Sequence, residues 1–181
     1  NKSELESFVK SVCLEQASNP LYAIVNNAAV QKLGRFEDLS LSDWTDTFSV
    51  NLIAPVIINK AFLSLIKKQQ GVIVNIGSIH SKLTKTGFVA YAASKAALCG
   101  LTKAMAVELG NSIRVNAIEP AAISTPMLEA GFTDNPDLKS QLEKFHPTGS
   151  IGTPKDVANA VLFLLNPSNS FINGSIIDLS G

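Results

Sequence analysis

Cysteine is scarce: Cys13 and Cys99 are the only two in 181 residues, and no C-x-x-C is present. That excludes a disulfide-stapled scaffold and a thiolate metal centre. It predicts two small buried side chains in a reducing compartment. Histidine is equally scarce, with His80 and His146 alone, and no group of His, Cys, Asp and Glu falls at metal-ligand spacing. Neither charge is in excess: 15 Lys and Arg balance 15 Asp and Glu, with no basic stripe. Nucleic acid and anionic membrane surfaces are therefore not expected as partners. No apolar run reads as long enough to span a membrane and no signal peptide opens the chain, so a cytoplasmic protein is expected. A G-x-S-x-G nucleophile elbow is absent, and Ser78 with His80 two residues on is poor geometry for a triad.

What is present is 46% hydrophobic and 17% charged, the balance of an ordinary α/β protein. The length fits one domain over residues 1–181. A helix is predicted near 3–18, with Leu5, Phe8, Val9 and Val12 as its apolar stripe and Asn19-Pro20 ending it. Tyr22 to Val25 and Val72 to Ile76 read as strands buried on both faces, and Ile113 to Ile118 as a third. A long helix is predicted from about Ser42 to Lys68, kinked or broken at Pro55 and closed by Gly71. A second helix carries Tyr91 and runs to about Leu109. Residues 125–150 read as a lid or binding loop. Thr153-Pro154 starts a further helix, and Ser175 to Leu179 is a last strand. Such alternation gives a parallel sheet with helices on both faces.

In open α/β sheets, ligands bind beyond the carboxyl ends of the strands. Asn26, Ser78 and Pro120 each lie just past the end of a predicted strand, so they should share one rim. Tyr91 opens the helix after the second of these strands and stands at the same rim. Tyr91 and Lys95 are four apart, one turn along a single helix face. An ammonium about 4 Å from a phenolate interacts with it by roughly 4 kcal/mol at an effective dielectric of about 20. That would bring a phenol from about 10 towards neutrality, where it could give or take a proton.

Asn26-Asn27-Ala28-Ala29, Val50-Asn51-Leu52, Asn75-Ile76-Gly77-Ser78, Tyr91-Ala92-Ala93-Ser94-Lys95 and Arg114-Val115-Asn116 with Pro120 and Thr125 occur in this order. In order and spacing the set resembles the short-chain dehydrogenase/reductase family over nearly the whole chain. The resemblance implies a Rossmann-type doubly wound parallel sheet without its amino-terminal strands. It also implies NAD(P)-dependent hydride transfer between a carbonyl and a secondary alcohol on a small molecule. Ser78 would hold the reacting oxygen, Tyr91 would act as acid/base, and Lys95 would lower the Tyr91 pKa and hydrogen-bond the nicotinamide ribose. Asn51, whose carbonyl loses its helical partner at Pro55, would hold a water leading protons to Lys95. Asn26 and Ala28 would lie along the cofactor near the adenine ribose, with Asn27 tying the sheet together. Pro120, Ile123 and Thr125 would meet the nicotinamide end. His80 is a candidate substrate-loop residue.

The chain departs from the family pattern in three places. Ala29 and Ala121 stand where glycine is usual, which limits close backbone approach. The G-x-x-x-G-x-G phosphate loop is absent, and with it the residue that sorts NAD from NADP. The chain reads as if cut after the third strand of the family sheet. Two expectations follow: a portion of a complete reductase, or an inert protein that retains oligomerisation or partner-binding surfaces. Ile53, Ile57, Leu63 and Ile66 on one helix, and Leu98, Leu101, Met105 and Val107 on another, predict a homodimer or homotetramer.

Overall fold

The computed structural model describes residues 2–15, 20–129, 132 and 136–181. Four strands form one parallel sheet in the order β1 (Ala23–Asn26), β2 (Val72–Ile76), β3 (Arg114–Pro120), β4 (Ile176–Leu179). Register pairs Asn26 with Asn75, Ile76 with Ile118, and Pro120 with Leu179, so all carboxyl ends share one rim. Strand β2 is buried on both faces, as its largely apolar run predicts. Strand β1 departs from that expectation. It is one of the two edge strands, and Val25 is exposed while Ile24 and Asn26 face inward.

Helices cover both faces of the sheet. Phe62 and Ile66 of α3 (Ala54–Lys68) and Ala106 of α4 (Val89–Leu109) pack with Ile24, Ile73, Ile113 and Val115. Val9 and Val12 of α1 (Lys2–Glu15) join this layer. Residues 16–18 of the predicted first helix lie outside the described residues. On the other face, Leu164 of α7 (Pro154–Leu165) meets Val72, Val74 and Ile118. Each fully buried isoleucine contributes about 2 kcal/mol. Thr153 caps α7 with a reciprocal bond to Asp156, and Pro154 occupies its first turn, as the sequence implies.

The long helix is not broken. The short α2 (Leu41–Phe48), capped by Ser40 and Asp43, runs through a π turn over Ser49–Ile53 into α3, with Pro55 in the first turn of α3. Pro55 lacks an N–H, and the five-residue spacing accommodates the lost bond. The continuous helical run Leu41–Lys68 corrects one reading of the sequence: by length and composition it could cross a membrane. Its buried face belongs to the fold, through Asn51, Pro55, Asn59, Phe62 and Ile66.

Gly71 is not the left-handed cap that the sequence predicts. Gln70 takes that conformation, with φ 49°. Gly71 is needed instead for close approach, because a Cβ there would lie 2.1 Å from the Tyr22 carbonyl oxygen. The predicted lid region contains two short helices, α5 (Pro126–Glu129) and α6 (Pro136–Lys144). Cys99 is buried as expected, but Cys13 is exposed.

Candidate active site

The rim residues converge where strand β2 ends. Ser78 begins a 3-10 turn over Ile79–Ser81, and its hydroxyl accepts from the His80 N–H at 3.2 Å. The same hydroxyl acts on the Tyr91 phenol and favours its ionised form. Ser78 is thus both a turn serine and a partner of Tyr91. Tyr91 sits in the first turn of α4 and is 8% exposed. The His80 ring stacks on Phe88 at 4.2 Å and meets Tyr91 edge-on, so an aromatic wall stands beside the phenol. Burial lowers the His80 pKa, with Lys85 adding to the effect, so the wall is neutral at pH 7.

Lys95 lies one turn further and is 2% exposed. Its ammonium donates to the Ile76 carbonyl at 2.7 Å and lies 5.7 Å from the Tyr91 ring centroid. Burial lowers its pKa to about 8. The lowered Tyr91 pKa predicted from the sequence is not found. Burial pushes the phenol up, and the Ser78 hydroxyl only partly offsets this, so desolvation dominates.

Asn51 lies in the π turn and is fully buried. Its side chain accepts from Val30 N at 2.8 Å and donates to Val30 O and to Ser94 Oγ, both at 3.0 Å. Ser94 in turn donates to the Tyr91 carbonyl at 2.7 Å. Asn51 therefore holds the loop after β1 against the helix that carries Tyr91. Ser94, in the middle of the Tyr–Lys turn, is a contributor the sequence reading missed.

Asn26, rather than Asn27, makes the sheet-tying contacts read for Asn27. The Asn26 amide turns inward and donates to Asn75 Oδ1 at 2.7 Å and Asn59 Oδ1 at 3.1 Å. Asn75 donates on to Thr102 Oγ1 at 2.8 Å. Asn26 therefore ties the sheet, while Asn27 and Ala28 are exposed at the rim. Asn59 and Thr102 lie outside the motifs of the sequence, and Asn75 stands in one of them without an assigned role. The available signal was an asparagine inside the otherwise apolar β2 and another inside an apolar helix.

Pro120 is the last residue of β3, buried, rather than the first residue past it. Ile123 is held in a bridge to Gly152, and Thr125 Oγ1 accepts from Leu128 N at 3.3 Å. His146 is apart from this group, with its ring nitrogen 2.9 Å from the Leu142 carbonyl. A cavity of about 360 Å³, lined by Arg35, Phe36, Lys85, Val89 and others, opens beside the start of α4; neither Ser78 nor Tyr91 lines it. Among the described residues no group of His, Cys, Asp and Glu could hold a metal ion.

A parallel sheet whose rim gathers Ser78, Tyr91 and Lys95 has the makings of a nicotinamide-dependent oxidoreductase. The family model described as enoyl-(acyl carrier protein) reductase matches residues 1–181. The chain belongs to the short-chain dehydrogenase/reductase family, whose members are oxidoreductases that use NAD(P). It is similar to an uncharacterized oxidoreductase of Schizosaccharomyces pombe, 36% identical over 98% of this chain and 69% of that protein. The ligand-free aldohexose dehydrogenase of Thermoplasma acidophilum superposes with a TM-score of 0.89 at 29% identity, covering 98% of this chain and 72% of that one. ElxO with NADP bound gives 0.85 at 28% identity, covering 94% and 71%.

Proposed function

We propose that the protein carrying this chain interconverts a carbonyl and a secondary alcohol on a small molecule, with Tyr91 as acid/base. The observation that carries this reading is the gathering at the sheet rim of the buried Ser78, the buried Tyr91 and, one turn further along α4, the buried Lys95. NAD or NADP, when bound, supplies or accepts the hydride. The Ser78 hydroxyl orients the substrate oxygen towards the phenol. Tyr91 gives that oxygen a proton in reduction and takes it in oxidation. Its raised pKa keeps the phenol protonated at neutral pH, the form needed to donate. Lys95, at the carboxyl end of β2, is placed to hydrogen-bond the nicotinamide ribose. Asn51 and Ser94 hold the first turn of α4 in position. Asn26, Ala28, Pro120, Ile123 and Thr125 follow the rim and are assigned to the cofactor, Asn26 through its backbone because its amide is engaged inside the protein.

The chain also self-associates in this reading. Ile66 and Leu98 are used inside the fold, and Leu63 and Met105 pack against its core. Ile53, Ile57 and Val107 remain exposed and offer the apolar face for a second copy. The primary test is a nicotinamide absorbance assay of the full protein with aldohexoses and short-chain ketones, comparing wild type with Tyr91→Phe. Equal turnover by both would overturn the acid/base assignment.

A further inference from the structure

A buried acid lies directly under the Ser78 loop, and the proposed chemistry does not use it. Glu119, the penultimate residue of β3, is 1% exposed. Ser81 Oγ donates to its Oε1, Cys99 Sγ donates to the same oxygen at 2.9 Å, and the Lys82 ammonium lies 2.7 Å from Oε2. The carboxylate thus gathers a residue of the Ser78 turn, the residue after that turn, and the α4 residue one turn beyond Lys95. Lys82 continues outward to Asp178 Oδ1 at 2.6 Å. Glu119 and Asp178 are register partners on β3 and β4, and Lys82 separates two carboxylates that would otherwise repel. Hydrogen bonds to Asp178 and Glu119 raise the Lys82 pKa, so the clamp keeps its cation. Burial first, and then Glu119, push the Cys99 thiol up to about 12, so Cys99 remains a donor.

Gly77 makes the approach possible. A Cβ there would lie 3.0 Å from Glu119 Cγ and 3.1 Å from the Ile118 carbonyl oxygen. The residue immediately before Ser78 is therefore small where Glu119 passes beneath it. A carboxylate removed from water is costly unless paired and hydrogen-bonded. Spending it here makes sense if the loop must be held in one place.

We propose that Glu119, bridged by Lys82, is a positioning residue that fixes the Ser78 loop relative to the helix carrying Tyr91 and Lys95. The catalytic part of this proposal rests on the hydride-transfer reading above; the clamp itself does not. The test compares wild type, Glu119→Gln and Lys82→Met in the full protein, with two readouts. Hydrogen exchange follows the amides of Ser81, Lys82 and Leu83, which bond back to Ser78 and Ile79, against the sheet amide of Gly77. Steady-state kinetics separates kcat from KM. Both variants should speed exchange of the three loop amides at least tenfold without moving Gly77. Both should lower kcat at least tenfold and change the cofactor KM less than threefold. Unchanged loop exchange in both variants overturns the proposal whether or not turnover is found. Faster exchange with wild-type kcat overturns the positioning role. Wild-type protein without turnover would overturn the hydride-transfer reading instead, and the exchange arm would still decide the clamp. Lys82→Met keeps the test open if the buried Gln fails to fold, because the Lys82 side chain is 49% exposed.

Discussion

The Lys95 ammonium donates to the Ile76 carbonyl at 2.7 Å. Ile76 is the last residue of β2, two positions before Ser78. The cation therefore ties the Tyr91 helix to the strand that presents Ser78, and it does so with its charge almost wholly out of water.

The acid/base assignment has a direct check. Tyr91→Phe removes one oxygen from a buried ring whose carbonyl partner Ser94 is untouched. Turnover in the full protein should fall by about 10²–10⁴-fold, the usual contribution of a positioned acid or base. Circular dichroism should be unchanged.

Lys95 should leave a signature in stability against pH. Its folded pKa is about 8 against 10.5 for an ordinary lysine. Between those values the native chain binds fewer protons than the unfolded chain, so unfolding free energy rises with pH. Below about 8 the cost of the buried charge is present in full. The raised Cys99 and Tyr91 pKa values work the other way, but only above their ordinary values of 9.0 and 10.0. Urea melts from about pH 8 to 9 should show the rise in wild type, and Lys95→Met should flatten it. An identical slope in the variant would refute the assignment.

The Asn26–Asn75–Thr102 ladder should carry stability. Asn75→Ala removes one acceptor and one donor from the buried core. The expected loss is about 1–3 kcal/mol, the cost of leaving buried partners unsatisfied, read by chemical denaturation. A loss within about 0.5 kcal/mol, as at a neutral surface site, would show that the ladder is dispensable.

Asn51→Ala should free the loop after β1. The Val30 amide loses its acceptor at 2.8 Å, and its hydrogen exchange should accelerate at least tenfold. Exchange at the wild-type rate would mean that something other than Asn51 holds the loop.

Association should depend on residues that the fold leaves outside. Ile57→Glu combined with Val107→Glu should give a monomer by light scattering, because both positions are exposed. A wild-type monomer at micromolar concentration would remove the association proposal altogether.

Much of this was readable in the residues. Largely apolar runs ending at Val25, Ile76 and Ile118 marked three strands, with two of the ends short of the true ones at Asn26 and Pro120, and parallel pairing then required one shared rim. Thr153-Pro154 marked a helix start through capping chemistry alone. What could not be read was burial. The sign of the Tyr91 shift depends on how much water the wall of His80 and Phe88 removes, which no spacing reports. The choice between Asn26 and Asn27 was set by alternation: Asn26 shares the inward face of Ile24, which needed the strand's exact phase. Glu119 carries no signal in the sequence because its partners Ser81 and Cys99 are distant in the chain and come from different elements.

The π turn at Ser49–Ile53 has a further consequence as a phase element. The Ala54 N–H reaches back five residues to Ser49 rather than four, so the turn holds one residue more than a regular α-helix would. One α-helical residue is about 100° of rotation, from about 3.6 residues per turn. That single surplus residue lets Asn51 address Val30 and Ser94 while Phe62 and Ile66, further along the same rod, address the sheet. Deleting one residue there would make a straighter helix, yet it would spin α3 so that its apolar stripe faced away from β1 and β2. The irregular turn works as a gear that sets where each end of the rod looks.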